Sequence, residues 1–581
     1  MGDALHSRGR WVSRFLSVSV LALGCGVAFA APSCGLAQLP SPTSPELQTR
    51  TAPLGSAATL PAPPTLSNCP FSASPIHIRL RSVTVSGGTR MKQRQIDRAT
   101  KDLIGRDGPL AIACAARDRI AKLYADKGYR LTRVEIPPQR ITNGDLVLTA
   151  TEGYVAEVKA AGLAPLGASA DLARRFLAPL AGERPTPWPD IERAVLLARD
   201  IPGAEIDIAL HADPAGPGAL DLIATSPSLR HLEVSTGVQN YGSHELGQVS
   251  GFARADADGF TPFGERSSLL LFGATTGGQK AVEGVESAFL GSSGLRGSVD
   301  FSYAHSTPGG QLAPLKISGD SYDGKFALSY PVVRGQALNL TTQAGFEYVD
   351  ARNSLGALQG LGSAPLLFHD NLRIASVQGD LRWAPYAIPE LSFGVNLELR
   401  QGIIGLGSSR KGGADLSKAD GDPGAFVVRG FETVRWTFGG KPAFGRPSGP
   451  WVEAIGQQQW ADRPLLASEQ FQIGNYTLGR GYDPGTASGD RAYGVQLQTG
   501  WPLRAPFLGV VEPYVFYDAA RVDNLTGYSS SIASWGGGAR LALPWALRLD
   551  VAGAEALTPP FPGARQPASR VLISLNRNFS S

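Results

Sequence analysis

After Pro227 the chain alternates apolar and polar residues with a period of two, over stretches of about ten residues, and few backbones suit that pattern. Leu295, Gly297, Val299, Phe301 and Tyr303 alternate with Arg296, Ser298, Asp300, Ser302 and Ala304. Leu338, Leu340, Thr342, Ala344, Phe346 and Tyr348 alternate with Asn339, Thr341, Gln343, Gly345 and Glu347, and Leu391 to Leu399 repeats the theme against Ser392 to Arg400. Such two-faced strands suit a water-soluble sandwich as well as a barrel. The strand length and the aromatics near strand ends favour a transmembrane barrel with a polar lumen. No segment beyond the N-terminal region reaches ~18 uninterrupted apolar residues, so a membrane could be crossed only by a closed sheet. Residues 230–581 leave room for roughly fourteen to eighteen tilted strands with their turns.

The first thirty residues read as a secretory signal. Arg8, Arg10 and Arg14 precede an apolar run from Phe15 to Ala28, and Ala28-Phe29-Ala30 is a small-x-small cleavage site, so residues 1–30 are expected to be removed. Gly24-Cys25 would suit a lipoprotein, but Ala22-Leu23 in front matches that pattern poorly. Residues 31–75 are rich in Pro, Ser, Ala and Thr and are expected to be a linker. The formal charge is +4, about half of it carried by the signal, which gives no support to a nucleic-acid partner. Four cysteines without metal-ligand spacing suggest pairing in an exported chain. Cys25 leaves with the signal, Cys34 lies in the linker, and Cys69 and Cys114 flank the first folded unit and could form one disulfide.

Between the linker and the barrel lie two similar units, expected at 76–153 and 154–227. In the first, Ile76 to Val85 alternates as a strand. Ile96, Ala99, Leu103 and Ile104, then Ala113, Ala116, Ile120, Leu123 and Tyr124, form two helical stripes. Strands at about 129–136 and 146–151 follow. The second repeats this β-α-α-β-β order, with a strand near 155–160, helices at about 171–180 and 189–199, and strands around Ile206–Leu210 and Leu220–Ala224.

Leu131-Thr-Arg-Val-Glu-Ile-Pro-Pro-Gln139, Asn143-Gly-Asp-Leu146 and Thr151-Glu-Gly-Tyr154 resemble the end of the first POTRA domain of two-partner secretion transporters, the hemolysin secretion/activation family. Asp200-Ile-Pro-Gly203 is similar to that family's second POTRA. The resemblance implies a mainly β fold: two small α+β POTRA domains, then a C-terminal antiparallel barrel of sixteen strands over 228–581. It also implies a periplasmic capture of an unfolded exoprotein. An open sheet edge can add an extended client as another strand by backbone bonds alone. The client-binding end is expected in the first repeat, which carries Arg79, Arg81, Lys92 and Arg94; individual contact residues are not assigned.

Residues 471–490 hold five glycines and one proline around Arg480-Gly481-Tyr482, so a loop is expected there. With Gln459, Pro464-Leu465, Ser468-Glu-Gln-Phe471 and Gly489-Asp490, it resembles the family's sixth extracellular loop, which folds back into the lumen. Glu512-Pro-Tyr-Val-Phe-Tyr-Asp-Ala-Ala520 is similar to the strand whose inward aspartate, here Asp518, meets the loop arginine. The strand's pattern agrees, since Val511, Pro513, Val515, Tyr517 and Ala519 form the more apolar face and leave Asp518 to the lumen. Three features depart from the family: Gly474-Asn475 replaces paired glycines, Phe579 is followed by Ser580-Ser581, and residues 31–75 show no helix that would plug the lumen.

No H-E-x-x-H, G-x-S-x-G or P-loop is present, so no catalytic, cofactor or metal residues are expected. A wetted pore wall accounts for Asp300, Glu347 and Glu398. The expected function is protein conduction across the outer membrane, with a cognate exoprotein, outer-membrane lipid and the barrel assembly machinery as partners. The alternatives are a barrel-assembly factor, which usually carries more POTRA domains, and a passive porin, which needs none.

Overall fold

The computed structural model describes residues 69–141, 143–356, 365–439, 449–474, 476–505 and 509–580. The expected signal peptide and residues 31–68 of the expected linker lie outside them.

The first domain packs helices Gln93–Thr100 and Ile112–Asp126 on a three-stranded sheet. Ser82–Ser86 runs parallel to Asp145–Thr151, which pairs antiparallel with Arg133–Glu135 on its other side. Leu80, Val83, Ile96, Ile120, Tyr124, Leu146 and Leu148 are buried between the layers. Cys69 and Cys114 are joined by a disulfide, which ties the chain ahead of the first strand to the second helix.

Two elements differ from the sequence expectation. The first strand divides into His77–Arg79, paired with Asp107–Pro109, and Ser82–Ser86. The break falls at Leu80-Arg81, where the Gly105 N–H donates to the Leu80 carbonyl (2.7 Å) and the Arg81 N–H donates to the Gly144 carbonyl (2.8 Å). Alternation persists across this break, so it is silent in the pattern. The strand expected at 129–136 shrinks to Arg133–Glu135. Its start is consumed by a turn in which the Tyr129 N–H caps the Tyr124 carbonyl (2.9 Å), and Pro137-Pro138 supplies no donor beyond it.

The second domain repeats the arrangement with helices Ala170–Leu177 and Trp188–Arg199 on a sheet of Tyr154–Gly162, Ala219–Thr225 and Asp207–Ala212. Its core is completed from outside. Phe289, the last residue of a barrel strand, is buried with Leu172, Phe176, Trp188, Val195 and Leu222, edge-on to Phe176 at 5.3 Å. Asp200 holds Arg334 of the barrel through two hydrogen bonds (2.6 and 2.8 Å), and Arg193 donates to the Pro331 carbonyl (2.8 Å).

The joint between the two small domains combines packing with backbone bonds: Leu131 of the first is buried in the core of the second, and Arg130 lies over the Trp188 ring. The Trp188 N–H donates to the Gly128 carbonyl (2.8 Å), and Arg90 donates to the Arg184 carbonyl (3.0 Å). Beside it, Glu152 accepts from the Thr89 hydroxyl (2.6 Å) and from the backbone N–H groups of Thr89 (2.8 Å) and Arg90 (2.9 Å). Burial works against the charged form, but these donors outweigh it and hold the Glu152 carboxyl below the usual glutamate range. A group with a depressed folded pKa stabilises the fold above its unfolded pKa, about 4.3, and that contribution fades as pH falls through the folded value. Protease resistance of the periplasmic portion is therefore expected to fall more steeply below about pH 4.5 in the parent than in Glu152→Gln, which has no proton to gain there.

Beyond Leu229 the chain forms a closed barrel of sixteen antiparallel strands. Leu503–Ala505 continues the Arg491–Gly500 strand past Trp501-Pro502, and both pair with Gly509–Asp523. Leu232–Gln239 and Arg570–Ser580 close the circle, with Val234 opposite Phe579 and Gln239 opposite Ser574. Closure leaves no unpaired backbone edge, which a hydrocarbon environment requires. The outward faces are the apolar ones read from the sequence: Val299, Phe301, Leu397 and Val515 are about half exposed, while Ser302, Arg400 and Asp518 on the other face are buried.

A loop-filled lumen as the candidate functional site

The barrel's inside is occupied by its own chain. The connection from Asp462 to Asp490 turns back between the walls and forms a small hairpin, Phe471–Ile473 paired with Ala487–Gly489. Ile473, Leu478 and Tyr482 are fully buried against Ala520, Val522, Ile532 and Ala556 of the walls. Asn475 lies outside the described residues.

At the deepest point, Arg480 and Asp518 form an ion pair at 2.9 Å with both side chains fully buried. The Arg480 Nε donates to the second carboxylate oxygen (3.0 Å), and so does its backbone N–H (3.2 Å). The guanidinium carbon lies over the Phe516 ring, 3.4 Å from its centre. Phe516 and Asp518 share a face of one strand at the two-residue period, which is how one wall offers both a carboxylate and an aromatic plate to the same cation. Tyr482 sends its hydroxyl to the rims of two further strands, 2.6 Å from the Thr558 carbonyl and 2.9 Å from that of Ala533.

Gly481 lets the loop lie against bare backbone. A Cβ there would stand 2.7 Å from the Ala556 nitrogen and 2.9 Å from the Glu555 carbonyl carbon. Gly479 adopts a positive φ of 102°, which disfavours any side chain. Valine at 481 is expected to lift the segment off the wall. In the parent, Arg480 should resist trypsin added to intact cells; in Gly481→Val, cleavage after Arg480 is the expected result, with the barrel remaining heat-modifiable.

Several contacts were not legible as pairings in the sequence. Arg400, 4% exposed, bonds Glu347 (3.0 Å), Glu398 (3.0 Å) and Glu469 of the loop (2.9 Å). Glu347 and Glu398 are thus not merely wetted wall, as the pattern alone suggested, but two sides of a buried network. Asp490 is a second hub: it pairs with Lys418 (3.1 Å) and accepts from the Gln470 amide and the Leu465 and Leu525 N–H groups, each at 2.9 Å. Tyr476 stacks on Tyr241 at 4.5 Å and donates to Asp550 (2.8 Å). At the loop's far side Asp483 meets His244 of the first hairpin (2.5 Å). The signal for these was periodicity on each strand; the register that brings them together is a long-range property.

A closed sixteen-strand barrel with an inward-folded sixth loop and two small α+β domains beneath it defines a class, the outer-membrane barrels that carry POTRA domains. A family model described as haemolysin secretion/activation protein ShlB/FhaC/HecB matches residues 218–541, and one described as a ShlB-type POTRA domain matches 78–153. The chain belongs to the ShlB/FhaC/HecB haemolysin secretion/activation family. Heme/hemopexin transporter protein HuxB of Haemophilus influenzae is 21% identical over 253 residues, 43% of this chain and 44% of that protein, so the match spans under half of that relative's length. Outer membrane transporter CdiB of Escherichia coli is 23% identical over 488 residues, 79% of this chain and 76% of that protein. The solved structure of CdiB from Escherichia coli superposes with a TM-score of 0.71, covering 91% of this chain and 94% of that one at 15% identity, and shares the fold. The barrel is accordingly an outer-membrane barrel with its POTRA domains in the periplasm.

Proposed function

We propose that this protein conducts an unfolded exoprotein from the periplasm to the cell surface, as a two-partner secretion transporter. The observation that carries the reading is a lumen occupied by a loop rather than by the wall alone, held at its centre by the Arg480–Asp518 pair. Arg480, Gly481, Tyr482 and Asp518 form the anchor whose release clears the pore. No nucleotide, metal or catalytic step enters the proposal, and folding of the client outside supplies the direction.

The first POTRA domain is the capture site. Both small sheets have open edges, so the edge alone does not choose between them. What supports the first is a cavity of about 560 Å3 that opens directly beside its edge strand His77–Arg79 and joins apolar Ile78, Ile104 and Ile141 to the basic Arg79 and Arg81. The partners are a cognate secreted exoprotein, outer-membrane lipid, and the barrel assembly machinery that inserts the chain.

Deleting residues 76–153 tests the reading. Mass spectrometry of the culture medium should lose one large protein, while the truncated barrel remains heat-modifiable in the outer membrane. An unchanged set of released proteins rejects the capture role, and a general loss of outer-membrane barrels would indicate an assembly factor instead.

A further inference from the structure

The Asp200-Ile-Pro-Gly203 motif does more than join the second POTRA domain to the barrel. Ile201 is buried in the domain core, and the Gly203 carbonyl accepts from the Arg230 N–H (3.0 Å). The remaining face of the motif walls a cavity of about 560 Å3, whose opposite side is the start of two barrel strands. Arg266 and Arg296 are the first residues of those strands and stand on the lumen side, since Leu269, Leu271, Val299 and Phe301 take the lipid side. The turn before Arg296 touches the second POTRA domain, where Arg193 donates to the Ser293 carbonyl (3.2 Å), so the cavity sits at the periplasmic mouth of the lumen.

Four arginines, Arg199, Arg230, Arg266 and Arg296, line it against one carboxylate, Asp200, whose oxygens are engaged by Arg334. Arg266 is balanced by Asp258 (2.7 Å) and Arg230 by an exposed contact with Glu205 (3.2 Å). Arg199 and Arg296 have no ion-pair partner among the described residues. Arg199 spends its Nε on the Ile206 carbonyl (2.7 Å), while its buried Nη1 has no hydrogen-bond partner; Arg296 reaches Ser287 (3.3 Å) and lies over Phe289.

We infer that this arginine-lined mouth is a binding site for carboxylate groups of an extended polypeptide, and that acidic side chains of the client are held there on their way into the lumen. Planar guanidinium forks match carboxylates two bonds at a time, and a partly enclosed cavity of one charge sign concentrates the opposite sign. Burial pulls the Arg199 pKa down, so an incoming anion relieves a cost already present. The inference rests on the transport reading and adds to it a preference for acidic client segments.

The test uses the full-length protein in nanodiscs of phosphatidylcholine, with fluorescent hexaglutamate, hexalysine and hexaserine as probes. Hexaglutamate is expected to bind, with the other two failing. Arg230→Gln with Arg296→Gln should weaken it roughly a hundredfold, about tenfold for one charge-assisted hydrogen bond lost at each position, while the corresponding Lys pair keeps part of the affinity. Equal binding by the parent and the Gln pair overturns the site. Displacement of the peptide by nanodiscs of phosphatidylglycerol alone makes it a lipid headgroup site and overturns the client as occupant. In cells, the Gln pair should slow release of the client; release at the parental rate overturns the inference and leaves transport standing. An unchanged medium after removal of the whole chain overturns transport itself, whatever the peptide does.

Discussion

Alanine at position 480 is expected to cost the loop its place in the lumen. The substitution leaves Asp518 as a fully buried carboxylate whose remaining donors are a backbone N–H at 3.2 Å and the Ser534 hydroxyl at 3.3 Å. Breaking one side of a buried pair costs roughly 3–5 kcal/mol, because the orphaned charge keeps its desolvation penalty. Asp518→Ala strands the guanidinium on Phe516 with a similar penalty. Removing both leaves no orphan, so the double variant should be less impaired than the sum of the singles. Client release and single-channel conductance are the readouts: each single variant should release less client and conduct more ions. Arg480→Lys should rescue little, since an ammonium cannot bridge both oxygens and stack on the ring. Additive effects in the double variant would show that the residues do not work as a pair.

Arg400→Ala is expected to be at least as severe. That single cation faces three carboxylates, and without it the ion pair left to them among the described residues is Arg429 with Glu469 at 3.5 Å, with Lys325 opposite Glu347 on the neighbouring strand. Like charges brought together in a half-dry lumen repel, and roughly 3–5 kcal/mol is again the expected cost. The signature is rescue by subtraction: Glu347→Gln with Glu398→Gln, added to Arg400→Ala, should recover most of the lost stability. The measurement is the temperature at which the folded band disappears on a heat-modifiability gel. A triple variant as weak as Arg400→Ala would mean that Arg400 acts through packing rather than charge.

The barrel was legible because alternation is local: Val299 and Phe301 face lipid for the same reason that they stand two residues apart. Asp518 was legible by the same rule. The ends of the small-domain strands were not, since the kink at Leu80-Arg81 depends on Gly105 and Gly144, which are close only after folding. The Arg400 network and the Asp490 hub draw on residues from widely separated strands and loops, and no periodicity reports a register between them. The placement of Arg480 against Asp518 came from family resemblance, not from spacing. The arginine-lined mouth was not legible as a unit, because it joins the Asp200–Gly203 motif of the second domain, with Arg199 and Arg230 beside it, to the first residues of two distant barrel strands.

Phe289 couples the second domain mechanically to the barrel. A residue of the membrane wall that sits inside a periplasmic domain's own core works as a rivet: pulling the domain away would carry a phenylalanine into water, at about 1.5–3 kcal/mol, and would also break the Asp200–Arg334 clasp. The second POTRA domain is then a collar of the barrel and turns with it. The first domain is tied to this collar in turn: Leu131 is buried in the second domain's core, Arg130 lies over Trp188 and over Tyr386 of the barrel, and Trp188 and Arg90 make two backbone-directed bonds across the joint. The cationic mouth, walled by collar and barrel together, therefore keeps a fixed shape.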